Sequence, residues 1–228
     1  MCHAVMMSSS RGTCKSAVIG FDMDGVLVDS GRSIKLSLQR AVLEVTGARP
    51  VHAVDDSFIG PPLRESLERL IGPREPAVLE RCINAYRRIN DRLSGSMTAV
   101  FPEVQTMLAS LGRSFELVVV TSKLEASARH LLSSLDLSGH FVGIHGVSSD
   151  DIKEQKVDTL RRAISEHGPL ETLIGDRTHD VQAALALGVR PIGVTWGYGT
   201  RQELINAGAE HLATNPSELA KLVMSILS

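Results

Sequence analysis

The apolar residues of the chain include five short runs in which hydrophobic side chains follow one another without regular polar alternation. Continuous runs of this length are typical of parallel strands that are covered on both faces of a sheet. We therefore predict five buried strands in one parallel sheet. The predicted strands are Ala17–Phe21, Leu117–Val120, Phe141–Ile144, Thr172–Ile174 and Pro191–Val194.

Stretches with a helical spacing of apolar residues lie between these strands from about residue 99 to the end. The last stretch has Pro216 near its first turn, a position that proline favours. Strands that alternate with helices are the signature of a doubly wound α/β sheet. The apolar positions are Val104, Met107, Leu108 and Leu111; Leu124, Ala128, Leu131, Leu132 and Leu135; Val157, Leu160 and Ile164; and Leu219, Leu222, Val223 and Ile226.

Residues 31–98 interrupt this alternation, because their apolar spacing is helical and they contain no strand-like run. The breaks between the helical stretches are Gly47 to Pro50, Gly60 to Pro62 and Gly72-Pro73. A connection of about seventy residues is too long for a loop within one domain, so we predict a small all-α cap domain at 31–98. The α/β core then comprises residues 17–30 and 99–228. Residues 1–16 are predicted to be a disordered tail rather than a transit peptide.

Composition and charge narrow the classes of partner. The formal net charge is −2 and no basic stripe with interleaved aromatics occurs, so neither nucleic acid nor an anionic membrane is expected as a partner. No apolar run approaches the roughly 20 residues of a membrane-spanning helix. Because Cys2, Cys14 and Cys82 are widely spaced, they indicate neither a disulfide framework nor a zinc site and favour a reduced, cytoplasmic setting. A monomer or a homodimer is the default expectation.

Two carboxylates follow the first predicted strand. Asp22 and Asp24 are two positions apart in an extended segment, so both side chains point to the same side. Gly25 comes directly after them and lets the backbone turn sharply and approach a ligand closely. In an open parallel sheet, ligands bind beyond the carboxyl ends of the strands, near the point where the strand order reverses. The two carboxylates therefore lie where a binding site is expected.

Other predicted strands also end in polar residues. Thr121 and Ser122 follow the second strand, and Asp176 follows the fourth, with Asp180 four residues further along. Each of these residues alone has an ordinary structural explanation, since hydroxyls and carboxylates cap helices and form turns. Their occurrence at successive strand ends favours a shared functional site.

Several carboxylates, a hydroxyl and a lysine together suit phosphoryl transfer. Oxygen ligands of this kind bind Mg²⁺, and the metal together with a lysine would neutralise a phosphoryl group. A carboxylate can attack phosphorus to form an acyl phosphate, and the reaction requires mainly positioning and charge neutralisation. The lysine is Lys153 or Lys156, both near the start of the helix after the third strand, although a lone lysine is most often a solvated surface residue.

With these residues the chain resembles the haloacid dehalogenase superfamily, specifically its phosphatases with a helical cap. The segment DMDGVLVDS at 22–30 is similar to the first motif of that superfamily, and Thr121 in VVVTSK is similar to the second. A lysine forms the third motif, and the segment GDRTHD at 175–180 is similar to the fourth. The resemblance extends from about Val18 to the C-terminus and implies a Rossmann-like core with a helical cap.

The resemblance implies a role for each matching residue. Asp22 would be the nucleophile, and Asp24 would be the general acid and then the general base. Mg²⁺ would be bound by Asp22, the backbone carbonyl of Asp24, and Asp176, while Asp180 would support the metal site or hold the lysine. The residues implied to bind the phosphoryl group are Thr121, Ser122, Gly25 and the lysine, for which Lys156 fits the family spacing in KVDTLRRAI better than Lys153.

The second carboxylate separates phosphatases from dehalogenases, because halide leaves without protonation whereas an alkoxide benefits from an acid such as Asp24. The resemblance therefore implies a hydrolase of phosphate monoesters, similar to phosphoglycolate phosphatase, with a small phosphorylated metabolite as substrate. In the cap, Arg64 could reach a substrate carboxylate or second phosphate, or be solvated on the outer face of its helix. A β-phosphoglucomutase-type sugar-phosphate mutase and a catalytically idle binding protein on the same fold are the alternatives.

Overall fold

The fold is seen in a computed structural model, which describes residues 17–148 and 154–227. Short strands alternate with helices along most of these ranges. In chain order the strands are β1 (Val18–Phe21), β2 (Val28–Asp29), β3 (Ala99–Val100), β4 (Glu116–Leu124), β5 (Gly143–Val147), β6 (Leu170–Gly175), β7 (Arg190–Val194) and β8 (His211–Ala213). The helices are α1 (Gly31–Thr46), α2 (Leu63–Ile71), α3 (Pro76–Met97), α4 (Val104–Leu111), α5 (Glu125–Ser134), α6 (Lys156–His167), α7 (Thr178–Ala186), α8 (Arg201–Ala207) and α9 (Pro216–Leu227).

Within the described ranges, six strands form one parallel sheet in the order β5-β4-β1-β6-β7-β8. After β1 the chain builds outwards through β4 and β5, and it then continues on the other side of β1 through β6, β7 and β8. The order therefore reverses between β1 and β6. The crevice beyond the carboxyl ends of these two strands is where open α/β sheets bind ligands.

Helices cover both faces of the sheet. Ile19 and Phe21 of β1 pack in one apolar layer with residues of α4, α5 and α9. Val18 of the same strand lies in the opposite layer with residues of α6 and α7. Alternate side chains of one strand thus enter two different cores, which explains why the strand sequences are continuously apolar.

The helices α1, α2 and α3 share an apolar cluster of their own, which includes Leu38, Leu67 and Ile83. The two-stranded antiparallel pair β2-β3 lies where the chain leaves the core before α1 and returns to it after α3. The helical insert is therefore a cap with its own hydrophobic core, and its two connections to the α/β core are hydrogen-bonded to each other.

The predicted fold class, a doubly wound parallel sheet with a small all-α cap, is confirmed. The predicted strands correspond to β1, β4, β5, β6 and β7, with bounds that differ by at most four residues. The strand β8 was not predicted, because its three residues begin with a histidine and form no apolar run. The predicted domain boundaries stay a prediction, and the predicted tail at 1–16 lies outside the described residues.

Candidate active site

Three carboxylates meet at the carboxyl ends of β1 and β6. Asp22 directly follows β1, and its backbone N–H donates to the carbonyl of Ile174 in β6 over 2.8 Å. Asp176 directly follows β6, and Asp180 lies in the first turn of α7. One carboxylate oxygen from each of Asp22, Asp176 and Asp180 lies within 4.8 Å of the other two, and all three residues are buried. Adjacent parallel strands thus bring together acids that are far apart in the sequence.

Lys156 inserts its ammonium group among these acids. It is the first residue of α6, its side chain is 5% exposed, and its Nζ lies 2.6 Å from Asp22 Oδ1 and also contacts Asp180 Oδ1. Burial alone would lower the pKa of Lys156, but the carboxylates of Asp180 and Asp22 outweigh it and raise this pKa above its ordinary value. Lys156 is therefore a cation at neutral pH. Lys153, the alternative lysine, lies outside the described residues.

The buried acids outnumber the lysine that pairs with them. Burial raises the pKa of Asp22 to about 7, although Lys156 opposes this shift. Burial and the charges of Asp180 and Asp22 raise the pKa of Asp176 well above its ordinary value. Asp176 Oδ1 is buried and has no hydrogen-bond partner among the described residues. An unpartnered oxygen beside two further carboxylates suits a hard divalent cation, so the residues present fit such an ion.

The loop after β1 lies close to Asp176. Gly25 has φ +88°, and a Cβ atom at this position would come within 2.2 Å of Asp176 Oδ2. The same oxygen accepts a 2.7 Å hydrogen bond from the backbone N–H of Tyr198. The Tyr198 hydroxyl in turn donates to Asp29 over 2.9 Å. Gly25 is thus required by a positive φ and by a close approach to an acid of the site.

Asp24 lies beside the carboxylate cluster with a partner on each of its oxygens. Ser30 Oγ donates to Asp24 Oδ1 over 2.5 Å, and Lys123 Nζ lies 3.0 Å from Asp24 Oδ2. The Lys123 side chain is 8% exposed. Burial alone would lower its pKa, but the Asp24 carboxylate outweighs burial and raises it. Neither Lys123 nor Ser30 was among the predicted site residues, although both lie within the segments that matched the first two motifs.

Thr121 and Ser122 lie in β4, close to the cluster. The strand continues to Leu124 rather than ending at Val120, but its register against β5 is irregular between these two residues. Thr121 is 1% exposed, and its Oγ1 accepts a hydrogen bond of 3.2 Å from the backbone N–H of Lys123. The buried Ser122 hydroxyl has no partner among the described residues. Both residues line the cleft described next.

A cleft of about 390 Å³ opens between the core and the cap above these residues. Core residues Asp22, Asp24 and Lys123 line one side, and cap residues such as Phe58 and Tyr86 line the other. Burial raises the pKa of Tyr86 to about 12, so its hydroxyl is neutral in the physiological range. The volume lies within the range of about 300–1,000 Å³ that is usual for small-molecule sites.

Arg64 also lines this cleft, as the second residue of α2. Its guanidinium forms an ion pair with Glu80 of α3, and its side chain is 27% exposed. The structure therefore places Arg64 at the cap wall of the cleft and not on the outer face of the cap.

Arg177, within the segment that matched the fourth motif, connects the core to the cap. Its Nη1 donates to the carbonyl of Asp56 over 3.0 Å and also to the carbonyl of Ile59. Its Nε donates to Glu203 of α8 over 2.9 Å. A Cβ at Gly60, which has φ +99°, would lie 2.6 Å from Arg177 Cγ, so the cap segment packs directly on this side chain. The spacing of residues along the sequence does not predict this contact between Arg177 and the cap.

Among curated proteins, the chain is similar to enzymes of phosphoryl chemistry. The family profile of haloacid dehalogenase-like hydrolases matches residues 19–194. Tyrosine-protein kinase PtkA of Mycobacterium tuberculosis is 35% identical over 94% of this chain and 74% of its own length. The 5'-nucleotidase of Pseudomonas aeruginosa is 31% identical over 90% of this chain and 94% of its own. Phosphoglycolate phosphatase of Aquifex aeolicus is 28% identical over 90% and 96%.

A solved structure supports the same relationship. A protein described as a predicted phosphatase from Clostridium acetobutylicum superimposes with a TM-score of 0.85 at 30% identity, over 92% of this chain and 99% of its own. None of the helices formed by residues 17–148 and 154–227 combines the length and apolar character that crossing a bilayer requires.

Proposed function

The chain belongs to the haloacid dehalogenase-like hydrolases, and from this premise we propose that it is a magnesium-dependent phosphatase of small-metabolite phosphate monoesters. The family membership that the motifs predicted is thereby confirmed, as is the prediction of a hydrolase that acts on phosphate esters. We further propose that the reaction passes through an aspartyl phosphate on Asp22. The metal, the substrate and the role of each residue are parts of this proposal.

The observation that carries the proposal is that Asp22 lines a capped cleft and is clustered with Lys156, Asp176 and Asp180. Asp22 lies at the floor, directly after β1, where a phosphoryl group can reach its carboxylate. Lys156 is held by two acids, so its ammonium group is already positioned before substrate enters. Preorganised charge of this kind is the main contribution of protein groups to phosphoryl transfer.

In the first step, an oxygen of the Asp22 carboxylate attacks phosphorus, and the bond between phosphorus and the leaving oxygen breaks. Asp24 gives its proton to that oxygen, so the alcohol leaves neutral. The Thr121 hydroxyl and the Lys156 ammonium bind the non-bridging oxygens of the phosphoryl group and oppose its negative charge. The cap covers the cleft, which keeps bulk water away while the ester bond breaks.

In the second step, a water molecule attacks the phosphorus of the aspartyl phosphate. The Asp24 carboxylate takes a proton from this water, and the bond between phosphorus and the Asp22 oxygen breaks. Inorganic phosphate leaves, Asp22 is again a carboxylate, and Asp24 is again protonated. One residue thus serves as acid and then as base, which requires that it can reach both the leaving oxygen and the water.

Mg²⁺ would be held by carboxylates of Asp22 and Asp176 and by the backbone carbonyl of Asp24, with Asp180 supporting the site. When bound, the ion supplies charge neutralisation for the phosphoryl oxygens. The unpartnered Asp176 Oδ1 is the feature of this chain that supports a cation here. Asp180 also accepts a hydrogen bond of 2.9 Å from the backbone N–H of Arg177 and pairs with Lys156, so it fixes two neighbours at once.

We propose a small acidic metabolite as the substrate, of the phosphoglycolate type. The cleft of about 390 Å³ accommodates a compact phosphate ester. Lys123 and Arg64 line it and would attract a carboxylate or a second anionic group. A relative named as a 5'-nucleotidase makes nucleoside monophosphates the second substrate class to test. The cytoplasmic location and the monomeric or homodimeric state stay predictions.

The competing function is transfer of the phosphoryl group to an acceptor other than water. A relative at 35% identity is named as a tyrosine-protein kinase, and a sugar-phosphate mutase would use the same aspartyl phosphate. The cap covers the cleft, and tyrosine and asparagine side chains of the cap line one wall of it. This enclosure favours water or a small molecule as the phosphoryl acceptor over a tyrosine on a protein surface. The assay must therefore measure phosphate release and phosphoryl transfer in the same preparation.

The proposal is tested with a panel of phosphate monoesters that includes phosphoglycolate and a nucleoside 5'-monophosphate. We expect the wild-type protein to release inorganic phosphate with Mg²⁺ and to stop when the metal is chelated. Asp22→Asn removes the attacking carboxylate, so we expect phosphate release to fall by about 10³-fold or more. Asp136→Asn is the matched control, because Asp136 is an exposed carboxylate after α5, and we expect its rates to match the wild type.

Three results would contradict parts of this proposal. Phosphate release by Asp22→Asn at the wild-type rate would exclude Asp22 as the nucleophile. Conversion of a sugar phosphate to its isomer with little phosphate release would favour a mutase. Label from ATP that appears on a protein tyrosine, without hydrolysis of the panel, would favour a kinase.

A further inference from the structure

A second group of metal-binding side chains lies at the far end of α6 from the carboxylate cluster. The helix begins with Lys156, which contacts Asp22, and ends with His167. At about 1.5 Å per residue, these two helix ends are roughly 16 Å apart. His167 faces His145 in the middle of β5, which is an edge strand of the sheet. The group is therefore separate from the candidate active site.

The two imidazole rings are arranged with ring nitrogens facing each other. His145 Nε2 and His167 Nε2 are 3.0 Å apart, and the ring planes cross at 75°. One carboxylate oxygen of Glu166 joins them, since one ligand atom from each of the three residues lies within 4.8 Å of the other two. Two imidazole nitrogens on one tetrahedral ion are separated by about 3.3 Å, given metal–nitrogen distances of about 2.0–2.1 Å. The observed separation is close to this value.

The backbone leaves room for this pair of rings. A Cβ atom on Gly143 would lie 2.3 Å from His167 Nε2 and 2.8 Å from His145 Nε2. Any side chain at this position would therefore occupy the space that the two nitrogens share. His145 is 3% exposed, whereas His167 is half-buried and Glu166 is exposed. The group is thus anchored on the core side and open on the solvent side, where an ion can enter.

The chemistry of the imidazole ring suits a ligand role. A neutral imidazole keeps one ring nitrogen with a free lone pair, which a metal requires. A hydrogen bond between the two rings places a proton on one Nε2. Metal binding would move that proton to the Nδ1 of the same ring.

We infer that His145, Glu166 and His167 form a second metal site, selective for Zn²⁺ or a similar borderline ion over Mg²⁺. Two imidazoles and one carboxylate with an open position suit Zn²⁺, Ni²⁺ and Cu²⁺, whereas Mg²⁺ prefers oxygen ligands. The bound ion connects the edge strand β5 to the C-terminal end of α6. An ion that binds the folded chain here, and not the unfolded chain, stabilises the fold.

The test titrates the full chain, freed of metals by chelation, with Zn²⁺ in a buffer that contains millimolar Mg²⁺. Millimolar Mg²⁺ competes with Zn²⁺ for the oxygen ligands of the acidic cluster, and the variants below assign the heat of Zn²⁺ binding to one group or the other. We expect one equivalent of Zn²⁺ to bind with a micromolar dissociation constant. Co²⁺ in place of Zn²⁺ should give visible absorption bands of the intensity that tetrahedral coordination produces.

Single substitutions assign the ligands. We expect His167→Asn and His145→Asn to weaken Zn²⁺ binding by at least about tenfold each, and Glu166→Gln to weaken it by less. His130→Asn is the matched control, because His130 is an exposed histidine on α5, and it should bind Zn²⁺ as the wild type does. His167 and Glu166 reach the surface, so their variants remain informative if His145→Asn does not fold. Magnesium-dependent phosphate release by His167→Asn should equal the wild-type rate.

The inference is wrong if the wild type shows no saturable Zn²⁺ binding at micromolar concentrations. It is also wrong if His167→Asn binds Zn²⁺ as tightly as His130→Asn does. Loss of Zn²⁺ binding in Asp176→Asn but not in His167→Asn would place the ion in the acidic cluster instead. None of these results bears on phosphate release, so the site and the proposed phosphatase activity stand or fall separately.

Discussion

The carboxylate of Asp24 contacts two side chains other than Asp22 and Gly25, its near neighbours in the sequence. Ser30 Oγ donates to one carboxylate oxygen over 2.5 Å, and Lys123 Nζ lies 3.0 Å from the other. To transfer a proton, Asp24 must exchange one of these contacts for the leaving oxygen of the substrate. The surroundings of this one residue therefore bear on how strongly the reaction depends on the leaving group.

Asp24→Asn keeps an oxygen for Ser30 but has no proton to transfer. For an alkyl phosphate, whose alkoxide leaves poorly, we expect kcat/KM to fall by about 10²–10⁴-fold. For p-nitrophenyl phosphate we expect a much smaller loss in the first step, because p-nitrophenolate leaves without protonation. Steady-state kinetics on both substrates measure the difference.

Asp29→Asn is the control for this comparison, since Asp29 is an exposed acid in the same segment and pairs with Tyr198 rather than with Lys123. Any loss in this variant should be the same for both substrates. Equal losses for both substrates in Asp24→Asn would argue against a proton-donating role for Asp24.

Between elements, the side chain that directly precedes α7 hydrogen-bonds to the cap. Arg177 precedes α7, donates to two carbonyls of the segment between α1 and α2, and pairs with Glu203 of α8. That segment also contains Phe58 and Ile59, which line the cleft. Arg177 is thus a positioning residue, because it acts on the substrate through the cap segment that it holds.

Arg177→Gln removes the guanidinium that joins the cap segment to Glu203. We expect KM for the metabolite substrate to rise by about tenfold, with a smaller change in kcat, because the carboxylate cluster stays in place while the cap wall loses its position. Arg177→Lys should rescue KM in part, since an ammonium keeps the charge but lacks the fork of donors. Steady-state kinetics and melting temperature are measured together.

Arg201→Gln, on the exposed start of α8, is the matched control and should leave KM unchanged. A lower melting temperature for Arg177→Gln without a change in KM would show that Arg177 serves stability alone.

At the scale of the whole molecule, two buried carboxyl groups of the metal-free protein make the stability of the fold depend on pH. Asp22, with a pKa raised to about 7, and Asp176, with a pKa that burial raises well above its ordinary value, bind protons more tightly in the folded chain than in the unfolded chain. The folded state then holds more protons between about pH 4 and 7, so its stability falls as pH rises through this window. Acids with lowered pKa values, such as Glu203, act in the opposite direction.

A comparison of the wild type with Asp176→Asn isolates the contribution of Asp176 to the pH dependence of stability, because all other acids are present in both the wild type and the variant. Without metal, we expect the variant to melt several degrees above the wild type at pH 8, with a difference that shrinks towards pH 5. We expect Mg²⁺ to raise the melting temperature of the wild type more at pH 8 than at pH 5, and to raise that of the variant little. A variant that melts below the wild type at pH 8 without metal would contradict a destabilising charge at Asp176.

Short-range patterns were sufficient for much of the fold and site. Continuous apolar runs indicated β1 and β4, since a strand buried on both faces needs apolar residues at consecutive positions. Asp22 and Asp24 were identified as a pair because the two-residue repeat of an extended chain points them to one side. Asp176 was identified because it follows a predicted strand, and Asp180 because it lies four residues further along in the segment that matched the fourth motif. The boundaries of β4 and the existence of β8 were not predicted, because pairing with a neighbour decides where a short strand ends.

The sequence by itself thus determined the fold class, the family and the acids of the first and fourth motifs, because each depends on residues close together along the chain. Tertiary structure alone decided that Lys123 pairs with Asp24, that Arg177 holds the cap segment, and that His145 faces His167. These partners lie on different elements. Their distances depend on strand order, register and the orientation of packed helices, which no local spacing specifies.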